Sequence, residues 1–277
     1  MYAPLTTSTL GTILAVWAHP DDESFVAGGL LAAASDAGSK VVCVTATRGE
    51  EGTSDPDRWP DTRLARTRTR ELAAAQTVLG VSEHRWLTYR DGSCDRVPSG
   101  RGMADVAQVI DEVRPDTIVT FGPDGFTGHP DHRAVSAWTS HAWAATGSSA
   151  RLLWSAVTAR TATHMAEVEP VAHAFYPGYP RITGDLDVAL ELDLRGDLLD
   201  RKVTAMRVHA TQSQTLAHRL GEDAFRRWWA TESFVEVGAR RAPRPSLEVA
   251  PIDLERVGRP RRPLVGPLVG SLVLAPR

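Results

Sequence analysis

The chain alternates between short, mostly apolar runs and longer stretches in which apolar residues recur at helical spacing. Residues 12–17, 40–47, 117–121 and 152–157 are runs of the first kind. They are rich in strand formers, too short for helices, and bounded by polar or glycine-containing segments, so they predict buried strands. Residues 84–87 predict a further short strand. Residues 23–37, 61–79, 104–113 and 130–145 read as helices, the first two closed by Gly38 and Gly80 and the third halted before Pro115. This alternation predicts an α/β fold, a Rossmann-like and mostly parallel sheet with helices on both faces. The second half is less regular, with strands expected at 188–194 and 232–237 and helices at 198–211 and around 225–229. From Arg240 onward arginine and proline dominate and no regular element is expected. The expected organisation is one α/β domain over residues 1–239 and an irregular Arg/Pro-rich tail over 240–277.

Composition narrows the class. A length of 277 residues with 42% hydrophobic and 23% charged positions suits a soluble globular domain with a substantial core. A formal net charge of −3 carries no basic excess, which argues against a general nucleic-acid binder. Cys43 lies in an apolar run and Cys94 in a polar turn; one potential pair makes no disulfide framework, so a reducing compartment is the default. The N-terminus has no basic leader region and no stretch reaches the length of a membrane span. The expectation is a cytoplasmic protein acting on a small molecule, with no nucleic-acid partner and no membrane span; a homo-oligomer is left open.

Two clusters carry candidate chemistry. His19-Pro20-Asp21-Asp22-Glu23 falls where the first strand ends and a helix begins. Three adjacent acids repel one another when ionised, and a divalent cation relieves that repulsion; imidazole with carboxylate suits zinc. Asp21 and Asp22 would also serve simply as helix-capping acids. The second cluster, Gly128-His129-Pro130-Asp131-His132, follows the strand at 117–121 and opens another helix. A parallel sheet brings such strand ends together, and ligands bind at the carboxyl ends of strands in open α/β sheets. Jointly the clusters offer two histidines and a carboxylate for a metal with a coordination position left for water. A spare carboxylate and a spare histidine remain for proton transfer and oxyanion stabilisation. The same ligand types also serve iron(II) oxygenases, and a non-catalytic binding protein with a vestigial metal site is the third reading.

At these residues the chain resembles the PIG-L/LmbE-like family of zinc-dependent de-N-acetylases, which includes the deacetylase and amidase of mycothiol metabolism. The family's A-H-P-D-D-E and H-P-D-H blocks stand here as residues 18–23 and 129–132. Lesser similarities include Gly49-Glu50-Glu51-Gly52, Arg68 with Glu71, Arg90-Asp91, and Lys202 with His209-Ala210-Thr211-Gln212. The resemblance implies one Zn2+ per chain held by His19, Asp22 and His132. It implies Asp21 as general base, His129 as oxyanion stabiliser or proton donor, and Asp131 as a residue tuning His129. Arg68 and Asp91 would hold substrate hydroxyls, Glu23 would support the site from behind, and His209 and Gln212 would lie at its rim. Thr127 occupies the position of a tyrosine that assists the oxyanion in the mycothiol deacetylase type. The implied reaction is removal of an acyl group, acetyl first among candidates, from the amide nitrogen of an N-acetylglucosamine-type conjugate.

Overall fold

In the computed structural model, which describes residues 6–238, the mostly apolar runs form the centre of a sheet. The expected tail at 240–277 lies outside the described residues. In chain order the elements are β1 (Ile13–Trp17), α1 (Asp22–Asp36), β2 (Val41–Thr45), α2 (Asp61–Leu79), β3 (Glu83–Trp86), α3 (Ser99–Val113) and β4 (Thr117–Phe121). There follow α4 (Gly125–Gly128, a short turn), α5 (Pro130–Thr146), β5 (Arg151–Thr158), α6 (Ala159–Ala172), β6 (Ile182–Thr183) and β7 (Leu190–Asp193). The last are α7 (Gly196–Val208), α8 (Ala210–Leu220), α9 (Glu222–Trp228) and β8 (Thr231–Glu236).

The sheet runs β3-β2-β1-β4-β5-β8-β7, with β6 attached to β5. From β3 to β5 the pairing is parallel, and β8 joins antiparallel to both β5 and β7. Every residue of β1, β2 and β4 is buried, as expected of central strands covered on both faces. Helices α1, α2 and α7 pack on one another, as α3 does on α5. The connection from β1 runs outward to β2, and the next strand at the centre, β4, lies on the other side of β1. The chain therefore reverses its winding between β1 and β4, and their carboxyl ends flank the crevice where α/β sheets bind ligands. Both sequence clusters lie there.

Three departures from the expected elements have physical causes. Helix α3 begins at Ser99, not residue 104, because packing against α5 overrides the poor helix propensity of its glycines. The helix expected over 198–211 is broken at His209, whose φ of −74° and ψ of 56° divide it into α7 and α8. The His209 imidazole is drawn inward to Glu23 at that break. Helix α6 was not expected; it carries Pro170 and is opened by Thr158, whose hydroxyl accepts from the Thr161 amide. Cys43 and Cys94 are both buried and unpaired. No helix among the described residues is long and apolar enough to cross a membrane.

Helix α6 ends in a turn fastened by Glu169, whose carboxylate accepts from the amides of Ala174 and Phe175 at 2.9 and 3.3 Å. Burial pushes this carboxyl up to about 7, and the two amides offset only part of the effect. The folded protein thus holds this proton more tightly than the unfolded chain. The contribution of Glu169 to stability, measured against Glu169→Gln, is expected to fall as pH rises from about 4.5 to about 7 and to level off beyond either end. Denaturant midpoints of both proteins between pH 4 and 8 check this; a pH-independent difference would contradict it.

Candidate active site

The first cluster is built on a strained turn. Asp21 has φ 118° and ψ −30°, a conformation that L side chains rarely adopt and that costs on the order of 1–3 kcal/mol. Three groups hold it. The Asp21 amide donates to Glu23 Oε2 at 3.1 Å, the His19 amide donates to Asp22 Oδ2 at 2.8 Å, and Arg68 Nη2 donates to the Pro20 carbonyl at 2.5 Å. Arg68 also reaches Asp21 Oδ2 at 3.2 Å and donates to the Gly49 carbonyl at 2.9 Å. Gly49, at φ 67°, is required for that approach, since a Cβ there would stand 2.3 Å from Arg68 Nη1.

The second cluster begins with His129 at the N-cap of α5. Its Nδ1 accepts from the Asp131 amide at 3.1 Å, so a neutral His129 carries its proton on Nε2. Burial, reinforced by the nearby His19, lowers its pKa to about 4. His132 Nδ1 donates to the Gly125 carbonyl at 3.0 Å, which leaves the Nε2 lone pair free to bind. Phe121, at the end of β4, stacks on the His132 ring at 4.1 Å and fixes its plane.

The fold brings all ten expected site residues together. His19, Asp21, Asp22, Glu23, Arg68, Asp131 and His132 are wholly buried, while Thr127, Asp91 and His129 are 1, 5 and 8% exposed. His129 is therefore the imidazole of the cluster that opens toward solvent. His19 Nδ1 lies 3.2 Å from His132 Nε2 and 3.6 Å from Asp22 Oδ2, and His132 Nε2 lies 3.4 Å from Asp22 Oδ1. Donors bound tetrahedrally to zinc stand about 3.3 Å apart, given Zn–N distances of roughly 2.0–2.1 Å. Asp22 Oδ1 is also buried with no hydrogen-bond partner, an arrangement that a cation would satisfy. The residues fit a zinc ion.

A second trio, His19 Nε2 with Asp91 Oδ1 at 2.9 Å and Asp131 Oδ2 at 3.2 Å, fits less well. Both Asp131 oxygens already accept backbone amides, from Gly92 and Cys94, and the Glu51 amide occupies Asp91 Oδ2. Burial disfavours charge on His19, but Asp91, Asp131 and Asp22 outweigh it and hold its pKa well above the usual value. Burial raises Asp22, and His19 offsets this only in part. The site is thus an acid-rich pocket that calls for a positive charge.

Some residues sit differently from expectation. Arg68 and Asp91, expected to hold substrate hydroxyls, are engaged within the protein, Arg68 with Asp21 and Asp91 with His19. The Asp131 carboxylate meets His19, and only its amide bonds His129. The Thr127 hydroxyl lies 3.4 Å from His132 Nδ1. His209, expected at the rim, is wholly buried beneath the site, with Nε2 2.8 Å from Glu23 Oε1. Burial opposes charge on both partners, but each holds the other ionised, so Glu23 titrates low and His209 high. Tyr176, which no sequence pattern singled out, packs edge-on against His129 with ring centroids 5.6 Å apart. Its segment, 174–180, has neither helical nor strand periodicity to mark it.

Residues 14–143 match the PIG-L family model, described as GlcNAc-PI de-N-acetylase. A 1D-myo-inositol 2-acetamido-2-deoxy-alpha-D-glucopyranoside deacetylase from Kineococcus radiotolerans is 36% identical, covering 72% of this chain and 68% of its own. The protein of the same description from Acidothermus cellulolyticus is 32% identical, covering 77% and 86%. Among solved structures, the N,N'-diacetylchitobiose deacetylase from Pyrococcus horikoshii shares the fold with a TM-score of 0.58 at 21% identity, covering 83% of this chain and 84% of that one. The chain belongs to the PIG-L family and is an enzyme of the metal-dependent N-deacetylase kind.

Proposed function

We propose that the protein hydrolyses the acetamido group of an N-acetylglucosamine-type conjugate, releasing acetate and the free amine. The observation that carries this is the convergence of His19, His132 and Asp22 at zinc-ligand spacing, with Asp21 and His129 beside them. Support for the substrate class comes from the relatives, whose descriptions name a 2-acetamido-2-deoxyglucopyranoside of myo-inositol. His19, Asp22 and His132 would hold one zinc ion. A zinc ion supplies Lewis acidity, polarising the acyl oxygen and raising the acidity of water.

The remaining chemistry falls to side chains of this chain. Asp21, paired with Arg68, accepts the proton of the attacking water as general base. Glu23 and His209 hold the Asp21 backbone from behind, so the carboxylate does not drift while it carries the proton. His129 presents its Nε2–H as a hydrogen-bond donor to the acyl oxygen as negative charge develops, and the proton that Asp21 took from water passes to the departing nitrogen as the C–N bond breaks. Asp131 fixes the tautomer that makes this donation available.

The test is a panel of N-acetylglucosaminides, the myo-inositol conjugate included, scored for acetate and free amine. The zinc-loaded protein is expected to release both in equal amounts. Removing metal with dipicolinate should abolish release, and one zinc per chain should restore it. Failure to release acetate from any member by metal-loaded protein would overturn the reading, and oxygen-dependent turnover with iron alone would replace it.

A further inference from the structure

The segment between α6 and β6 is fastened over the second cluster at four points. Glu169 holds the amides of Ala174 and Phe175. The Tyr176 amide donates to the Thr127 carbonyl at 2.9 Å. The Phe175 ring lies 6.5 Å from that of Phe126. The Tyr179 ring covers Gly128, whose φ of 87° and lack of a Cβ allow it, since a Cβ there would meet Tyr179 at 2.4 Å. The last three contacts involve the three residues that precede His129, so the segment is registered directly on the active-site turn.

That registration brings the Tyr176 ring edge-on to His129, the most exposed imidazole of the site. The ring is half-buried, and its hydroxyl has no hydrogen-bond partner among the described residues, although it lies within the field of Asp131, Asp91 and Asp95. A phenol beside a polar pocket with no protein partner is free to serve a ligand. The Thr127 hydroxyl cannot take this part, because it faces His132 Nδ1 behind the metal ligand.

We propose that Tyr176 is a catalytic residue, its hydroxyl donating a hydrogen bond to the acyl oxygen of the substrate as that oxygen gains charge, alongside His129. Burial and the neighbouring carboxylates push the phenol up to about 12, so it remains a donor through neutral pH. The inference rests on the deacetylase reading above.

Tyr176→Phe keeps the ring that packs on His129 and removes only the hydroxyl. It is expected to lower kcat by about tenfold or more while leaving KM within about twofold, since an oxyanion donor acts in the transition state. Zinc content and melting temperature should match the wild type. The same variant should bind a glucosamine methylphosphonamidate, a mimic of the tetrahedral intermediate and its charged oxygen, at least about tenfold more weakly, with N-acetylglucosamine binding unchanged. Wild-type kinetics and phosphonamidate affinity in Tyr176→Phe would overturn the proposal, and so would a loss confined to KM. A wild-type protein inactive on the whole panel would refute the deacetylase reading and this proposal with it, whereas an active wild type with an unimpaired Tyr176→Phe would overturn the proposal alone.

Discussion

Replacing Asp21 by asparagine is expected to lower turnover by about 10²–10⁴-fold, the usual contribution of a positioned general base, while zinc content stays at the wild-type level. The separation of effects follows from the geometry. Asp22, not Asp21, stands at zinc-ligand spacing from His19 and His132, whereas the Asp21 carboxylate faces Arg68. Asparagine preserves volume and can retain the strained φ of 118°, because it tolerates left-handed backbone better than most side chains. It loses the charge that accepts a proton and leaves Arg68 buried beside a neutral amide. Some loss of stability should therefore accompany the loss of rate, and melting curves with metal analysis separate the two. Substantial activity in a folded, zinc-replete Asp21→Asn protein would remove Asp21 as the base. Loss of zinc in the variant would instead make Asp21 a ligand.

Lys202→Met is expected to destabilise the fold by about 3–5 kcal/mol, the usual result of stranding one partner of a buried ion pair. For a domain of this size that corresponds to a fall of roughly 10 °C in Tm. Lys202 on α7 donates to Glu232 Oε1 at 2.7 Å, with both side chains 1% exposed. The same carboxylate accepts from the amides of Gly29 and Leu30 in the middle of α1, at 2.7 and 2.8 Å. One acid from β8 thus ties together two helices on one side of the sheet, and α1 is the helix that begins at Asp22. Burial lowers the Lys202 pKa, and Glu232 works against that shift, so the charge depends on its partner. Adding Glu232→Gln to Lys202→Met should recover part of the loss, because a neutral amide needs no counter-ion and its oxygen still accepts from one of the two α1 amides. A single variant within about 1 kcal/mol of wild type, near the value of an exposed pair, would show that the pair is not effectively desolvated.

The elements central to the fold and the residues at its site were readable for a common reason. The strands β1, β2 and β4 are buried along their whole length, so they are mostly apolar, and such runs stand out at any point in a chain. The metal-type clusters stand out because adjacent acids and histidines are hard to place anywhere else. Their location after strands then pointed to one sheet edge. Where the signal was weak, tertiary contacts made the decision. The break at His209 depends on Glu23, far away in the sequence, and α6 owes its end to a carboxylate that fastens the turn beyond it. Neither contact leaves a local pattern.

By itself the sequence determined the α/β class, the two clusters and the kinds of atom they bring, because periodicity and residue type are local properties. Only the tertiary structure decided which of those atoms meet. It placed Asp22 with His19 and His132 and turned Asp21 toward Arg68. It put the Arg68 and Asp91 side chains on protein partners, and it carried Tyr176 from an unpatterned segment to the side of His129. Those outcomes depend on distances between groups that the chain brings together only by reversing its winding between β1 and β4, and no local pattern encodes them.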